Sequence, residues 1–437
     1  MACDVCGESI APFRRAPKAD SRCLSVQGWL TPKCEDRFGN RRAIAYVGHD
    51  RQPTQGAMMT TRAFILGTGL STALATGALA QDYRIEVLAE GLDRPWALSF
   101  LPGTSDIVMT SRSGAVMIFS IDEGAITEIA GAPEVDSRGQ GGLLDIVPAP
   151  DFADSGWLYM TWAGTGQGGT STHVGRARLD RDSAALTDLE VLHVVTPFMD
   201  MPAHYGARIV FADGHLFAGF GDRNRKDFGP GHIAQDLGSE NGAVIRLTPD
   251  GEIPPDNPFV DQDGAAGAIF SFGHRNIQAM AVHPETGAVW LAEHGEAGGD
   301  EINIVTRGGN YGWPLASFGV DYRSGQAFAP PHQEGDGFVA PVYHWPAGRD
   351  AHFPPSGMAF YTGDAFPQWQ GHLLVGNLFH RYLGLFAVDG ESVEPVARLL
   401  DGQGWRIRDV AIGPDDGFIY VIGDGENVPL VRLVPDG

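Results

Sequence analysis

From residue 82 onward the chain alternates short apolar, β-branched or aromatic runs with clusters of Gly, Pro, Asp and Asn. No stretch carries the 3.6-residue period of a long amphipathic helix. One unit recurs: an apolar strand, a turn containing Pro, Asp or Gly, then a second apolar strand. It is found at 97–108 (ALSFLPGTSDIV), 146–159 (IVPAPDFADSGWLY), 209–220 (IVFADGHLFAGF), 281–291 (AVHPETGAVWL), 358–375 (MAFYTGDAFPQWQGHLLV) and 410–421 (VAIGPDDGFIYV). Six such hairpins, spaced roughly 50 to 80 residues apart, predict an all-β chain folded as a six-bladed β-propeller. The competing arrangement is a sandwich or barrel whose hairpins resemble one another by accident. In a propeller the last apolar run, 430–434, pairs with the first, near 83–87, and closes the ring. The longer gaps between the second and fifth hairpins are expected to hold insertions that build a site on one face.

Composition narrows the function. The chain has 437 residues, 59 of them glycine, and 10% aromatics, which fits one long turn-rich β domain. Its formal charge of −23 argues against nucleic acid or an anionic membrane surface as partner. Residues 1–80 hold 10 basic and 6 acidic residues, leaving 21 against 48 and a net charge of −27 for the rest. Lys226 is the only lysine beyond residue 80, so cationic contacts there fall almost wholly to arginine.

The start of the chain reads differently. Residues 58–80, MMTTRAFILGTGLSTALATGALA, have a basic residue, an apolar core and a small-residue end, the pattern of a secretory signal cut after Ala80. A membrane anchor fits less well, because the run is short and rich in Gly and Thr. Residues 1–57 are then an extension upstream of the true start, and 81–437 the exported propeller domain, periplasmic or secreted, a monomer or homodimer without stable membrane insertion. All four cysteines, Cys3, Cys6, Cys23 and Cys34, lie in that extension. Their spacing fits no usual zinc set, and the mature chain needs no disulfide.

Four segments beside the hairpins carry candidate chemistry. Gly139-Gln140-Gly141-Gly142 presents one polar side chain among glycines; a plain tight turn is the alternative. His204 precedes the third hairpin and Asp222 ends it, so both lie at one rim. There Asp can fix the His tautomer and raise its basicity, as a general base requires; a structural His is the alternative. The segment 272–314 places Arg275 and Asn276 before a short strand, and an oxygen-rich, glycine-rich loop from Glu293 to Glu301 after it. The former suit an anionic or carbonyl-bearing ligand. The latter suits calcium or is a solvated acidic loop. Arg406 and Arg408 share one face of a strand, so an anionic ligand or a paired carboxylate is expected between them.

In order, the motifs GLDRPWALSFLP, GQGGLLDIVPAPDF, HYGARIVF, DGEIPPDNPF, FGHRN, EHGEAGGDEIN, NYGWP, PSGMAFYTGDAFPQWQG and RIRDV resemble the glucose/sorbosone dehydrogenase family over nearly all of 82–437, with the aldose sugar dehydrogenase branch most similar. The resemblance implies a six-bladed quinoprotein that uses pyrroloquinoline quinone (PQQ) and Ca2+ to oxidise aldose sugars at C1, passing electrons to an external acceptor. It implies His204 as base, Asp222 as its orienting carboxylate, and Arg275 close to the reacting carbonyl. Gln140, Arg275, Asn276, Arg406 and Arg408 are implied as cofactor contacts. The carbonyls of Gly295 and Glu296 are implied as calcium ligands, with Glu301 and Tyr311 at a further calcium site. Two departures stand out. Gly295-Glu296 replaces the family's Gly-Pro, and Phe379 falls where the family has a cofactor-binding lysine, with His380 and Arg381 as neighbouring replacements. The segment Ala351-His352-Phe353-Pro354-Pro355 also departs from the usual apolar and small residues. Two other functions share the scaffold: a calcium-dependent lactonase-type hydrolase, which does not need Arg406 and Arg408 paired, and a non-catalytic sugar- or protein-binding propeller that has lost the cofactor.

Overall fold

The computed structural model describes residues 83–436. The expected extension 1–57, the expected signal segment 58–80 with its cut after Ala80, and the four cysteines lie outside the described residues. Six four-stranded antiparallel sheets make up the fold. The six predicted hairpins are the first two strands of each sheet: Pro95–Phe100 with Ile107–Ser111, Leu143–Pro148 with Trp157–Gly166, and Arg208–Ala212 with His215–Gly219. The remaining three are Ile277–Val282 with Val289–Glu293, Pro355–Phe360 with Leu373–Asn377, and Ile407–Ile412 with Ile419–Gly423. First strands of successive sheets pack on one another, and the sixth packs on the first. The sheets are thus blades 1 to 6 of a propeller with first strands innermost, where both faces are covered and the sequence is correspondingly apolar.

The ring closes as expected. Tyr83–Leu92 pairs with Val428–Pro435 at the outer edge of blade 6, with Ile85 opposite Leu433 and Val87 opposite Val431. Apolar side chains then seal the joint: Leu98, Ile107 and Phe119 of blade 1 pack against Tyr420, Ile422 and Leu430 of blade 6. Closure turns the inner edge strand of each blade toward the axis of the ring, where it is shielded from pairing with another chain. Among the described residues no helix is long and apolar enough to cross a membrane.

Antiparallel pairing brings the start of each first strand and the end of each second strand to one rim. Gln140, Tyr205, Asn276, Pro354 and Arg406 approach it from the first kind of position, and Arg112, His294, Leu378 and Asp424 from the second; all line one cavity. The long connections of blades 3 and 4, residues 220–242 and 305–342, add Lys226, Trp313 and Tyr322 at this end.

Candidate active site

The cavity at this rim has a volume of about 280 Å³. Four of the expected site residues line it: Gln140, Asn276, Arg406 and Arg408. Three guanidiniums, those of Arg112, Arg406 and Arg408, face it with a single carboxylate, Asp424. In a domain of strongly negative charge, that local excess of cations marks a place for an anion.

His204 and Asp222 form the expected pair, with Nδ1 donating to Asp222 Oδ1 at 2.7 Å. The rest of Asp222 is occupied as well. Trp313 Nε1 donates to Oδ2 at 2.8 Å, and the Asn224 amide donates to Oδ1 at 2.8 Å. The backbone N–H of His204, a residue at φ +50°, donates to Gln140 Oε1 at 2.8 Å. Gln140 therefore holds His204 as well as lining the cavity. Its loop needs glycine at 142, where φ is +130° and a Cβ would lie 2.1 Å from the Arg112 carbonyl oxygen.

The expected rise in His204 basicity is not what the whole environment produces. Burial first, then the Arg275 guanidinium, push the imidazole below its ordinary range, and Asp222 only partly restores it. Burial also opposes ionisation of Asp222, but His204 and Arg275 outweigh it and hold that carboxyl below its usual range. The result is a neutral imidazole with Nδ1–H tied to a carboxylate and Nε2 left as acceptor, the form a proton-abstracting base needs.

The acidic loop is neither solvated nor open. Glu293, Glu296, Asp300 and Glu301 are all buried. Glu293 Oε2 accepts from the Arg275 amide at 2.6 Å, and its Oε1 accepts from His274 Nδ1 at 2.8 Å. Asp300 accepts from the amides of Gly295 and Phe353, and burial raises it to about 6. Burial, then the neighbouring Glu293, raises Glu301 well above its usual range. Tyr311 spends its hydroxyl on the Ile304 carbonyl at 2.5 Å and the Thr306 amide at 2.8 Å. Arg275, Gly295, Glu301 and Tyr311 border a narrow void beside the cavity. Among the described residues, no group of three or more His, Cys, Asp or Glu side chains is placed to hold a metal. Calcium would depend on backbone carbonyls and on oxygens of a bound cofactor.

Glu296 takes a part that the sequence did not suggest. Its carboxylate accepts from Arg275 Nη2 at 2.6 Å and from Lys226 Nζ at 2.6 Å, so the one lysine of the domain reaches the site through it. Arg275 Nε is buried without a hydrogen-bond partner. Arg406 Nε donates to Asp424 Oδ2 at 2.6 Å and Arg408 Nε to Oδ1 at 2.8 Å. This is the paired carboxylate expected between the arginines. Burial works against that carboxylate, yet Arg408 and Arg406 hold it down to about 2.

Phe379 does line the cavity, so an aromatic ring stands where the family resemblance implies an ammonium. Neither replacement suggested by the sequence enters. His380 packs against Phe379 and His352, and Arg381 Nη1 donates to the Gly404 carbonyl at 3.3 Å. The additional cation is Arg112, whose Nε donates to the Gly141 carbonyl at 3.1 Å and whose Nη2 donates to Gly139. Burial, then Arg408, push its pKa down. Arg112 and Asp424 were both missed, yet Gly423-Asp424 repeats the Gly221-Asp222 ending of the third hairpin. Asp424→Asn is expected to strengthen binding of a polycarboxylate roughly tenfold, since it frees two arginines from a competing charge. Titration of the unloaded protein checks this.

The family model described as Glucose / Sorbosone dehydrogenase matches residues 92–432. The aldose sugar dehydrogenase YliI of Escherichia coli is 40% identical over 382 residues, covering 86% of this chain and 100% of that protein. The crystal structure of the soluble aldose sugar dehydrogenase from Escherichia coli, in the apo-form, superposes with a TM-score of 0.76 at 39% identity, over 81% of this chain and 100% of that one. The PQQ-bound aldose sugar dehydrogenase of Streptomyces coelicolor superposes at 0.65 with 26% identity, over 81% of this chain and 98% of that one.

Proposed function

The chain belongs to the glucose/sorbosone dehydrogenase family, and we propose that it oxidises aldose sugars at C1 to lactones with pyrroloquinoline quinone, handing the electrons to an external acceptor. The observation that carries the reading is a neutral, carboxylate-held imidazole tied through Gln140 to a cavity bearing three guanidiniums. That cavity suits a planar tricarboxylate: Arg112, Arg406 and Arg408 would face its carboxylates, and Gln140 and Asn276 its ring oxygens.

When bound, the quinone supplies the acceptor for the hydride that leaves C1. The protein's part is to move the proton. His204 Nε2 takes the proton of the anomeric hydroxyl while C1 gives up its hydride, and the C1–O1 bond becomes the lactone carbonyl. Asp222 keeps Nδ1 protonated, so that Nε2 is the acceptor, and stabilises the imidazolium that forms. Glu296 holds Arg275 and offsets part of its charge. A calcium ion would be held by the backbone carbonyls of Gly295 and Glu296.

The test is direct. Purified protein given the quinone and calcium should take up the cofactor, seen by absorbance, and reduce a dye with a panel of aldoses. Absence of uptake overturns the reading. His204→Gln is expected to abolish turnover while leaving uptake intact; retained turnover removes His204 from the role of base. Export through residues 58–80 belongs to the same proposal, and the N-terminal sequence of protein recovered from the periplasm or medium checks the cut after Ala80.

A further inference from the structure

Asp222 is fully buried, so hydrogen bonds to its carboxylate form in a low dielectric and count for more than at the surface. Oδ1 takes two donors, His204 Nδ1 at 2.7 Å and the Asn224 amide at 2.8 Å. Oδ2 takes one, Trp313 Nε1 at 2.8 Å. A second group stands beside that oxygen. His232 Nε2 lies 3.6 Å from Oδ2 and is buried with no hydrogen-bond partner. Its Nδ1 accepts from the Ala234 amide at 3.2 Å, which places its proton on Nε2, facing Asp222. The two claimants differ in kind. An indole N–H donates and never ionises, whereas an imidazole can become a cation. A charged His232 on Oδ2 would compete with the imidazolium of His204 for the one carboxylate. Trp313 fills Oδ2 without adding charge.

Trp313 reaches Asp222 from blade 4, and its seat is closely defined. Its amide donates to the Gly273 carbonyl at 2.9 Å, and its carbonyl accepts from Gln235 Nε2 at 2.7 Å. Phe228 and Phe328 stand edge-on to the indole, with ring centres at 5.7 and 5.4 Å. Only 5% of the residue is exposed, so neighbouring atoms fix the direction of its N–H. The Arg275 guanidinium lies 5.2 Å from the centre of the ring, a cation–π contact. In the motif Asn310-Tyr311-Gly312-Trp313-Pro314 only Tyr311 had an expected role; the tryptophan is the residue that touches the catalytic carboxylate.

We propose that Trp313 is a positioning residue of the reaction: its indole N–H fixes the Asp222 carboxylate so that Oδ1 faces His204 Nδ1. The proposal rests on the aldose dehydrogenase reading. Trp313 does not line the cavity, so it acts through Asp222 on proton removal and not by contact with the sugar.

Two measurements test this, both on full-length protein. In cofactor-loaded protein, Trp313→Phe should lower the single-turnover rate with glucose by about ten- to a hundredfold, the scale of one hydrogen bond to a charged group, with KM unchanged. In an Asp222→Asn background the same substitution should cost at most about threefold, the share of the Arg275 contact, because its main partner is already lost. Protein without cofactor, labelled with 15N in its histidines, gives the second readout. The His204 signals, identified by their loss in His204→Gln, should show a proton on Nδ1 in the wild type. In Trp313→Phe the Nε2-protonated tautomer should appear. Benzothienylalanine at position 313, which keeps the indole shape but lacks its N–H, repeats both measurements with packing preserved. A wild-type tautomer and rate with benzothienylalanine, or an equal loss from Trp313→Phe with and without Asp222, makes Trp313 a packing residue and overturns the proposal. If no sugar is oxidised but the tautomer still changes, the positioning role stands and the dehydrogenase reading falls.

Discussion

Asp222→Asn is expected to lower kcat by about 10²–10⁴, the range lost when a positioned base loses its orienting carboxylate. The aspartate makes two contacts that an amide cannot both keep. Oδ1 accepts from His204 Nδ1 and Oδ2 from Trp313 Nε1, so one of the two donors must face an NH2 group. If that donor is His204, the proton moves to Nε2 and the base points the wrong nitrogen at the sugar. The pH dependence separates this from simple misfolding. His204 already titrates below its ordinary range because of burial and Arg275, with Asp222 pulling the other way. Losing Asp222 lowers it further, so the acid limb of kcat/KM moves to lower pH while the plateau falls. An acid limb that stays in place, with a normal thermal transition, removes Asp222 from the orienting role.

Arg208→Met is expected to lower stability by about 3–5 kcal/mol, the cost of leaving buried charges without their partner. Arg208 sits on the propeller axis. Its Nη1 donates to Asp145 Oδ1 at 3.1 Å and to Asp409 Oδ2 at 3.0 Å, and its Nε to the Gln278 carbonyl at 2.9 Å. Asp145 also accepts from the Ile209 amide and Asp409 from the Leu98 amide. The innermost strands of blades 1, 2, 3, 4 and 6 are thereby tied through one guanidinium, which also lies 4.2 Å from the centre of the Trp96 ring.

The loss should depend on pH with a definite sign. Burial already raises Asp145 to about 6, with Arg208 opposing that rise. A folded-state carboxyl above its unfolded value binds protons more tightly in the native state, so stability falls as pH rises through about 6. Without Arg208 the window widens upward. Urea denaturation should show a larger defect at pH 8 than at pH 5; an equal defect at both would mean that lost packing, not charge, is responsible.

Much of this architecture is legible in the chain. Each of the six hairpins carries its own apolar alternation and turn residues, and a strand pair is a local object whose partner lies a few residues away. Closure by 430–434 was legible too, because an otherwise unpaired apolar run at each end has few places to go. His204 with Asp222 could be paired because a hairpin brings its two ends to one rim, and Arg406 with Arg408 because alternate residues share one face of a strand.

What could not be read was set by packing between blades. The sequence suggested an acidic calcium loop, whereas the structure spends Glu293 on His274 and the Arg275 amide, and Glu296 on Arg275 and Lys226. Lys226 and Glu296 lie seventy positions apart, and no periodicity relates them. Arg112 joins Arg408 only because blade 1 follows blade 6 around the ring, which puts residues almost three hundred positions apart on one wall. The direction of the His204 shift likewise depended on the depth of its burial, a property of the assembled rim. The chain by itself therefore determined the repeat, the blade count and the residue types at each rim, since these follow from short-range alternation and turn chemistry. Only the tertiary structure decided which charges meet and which are silenced, because Coulomb and desolvation energies depend on distances and burial that exist only once the ring has closed.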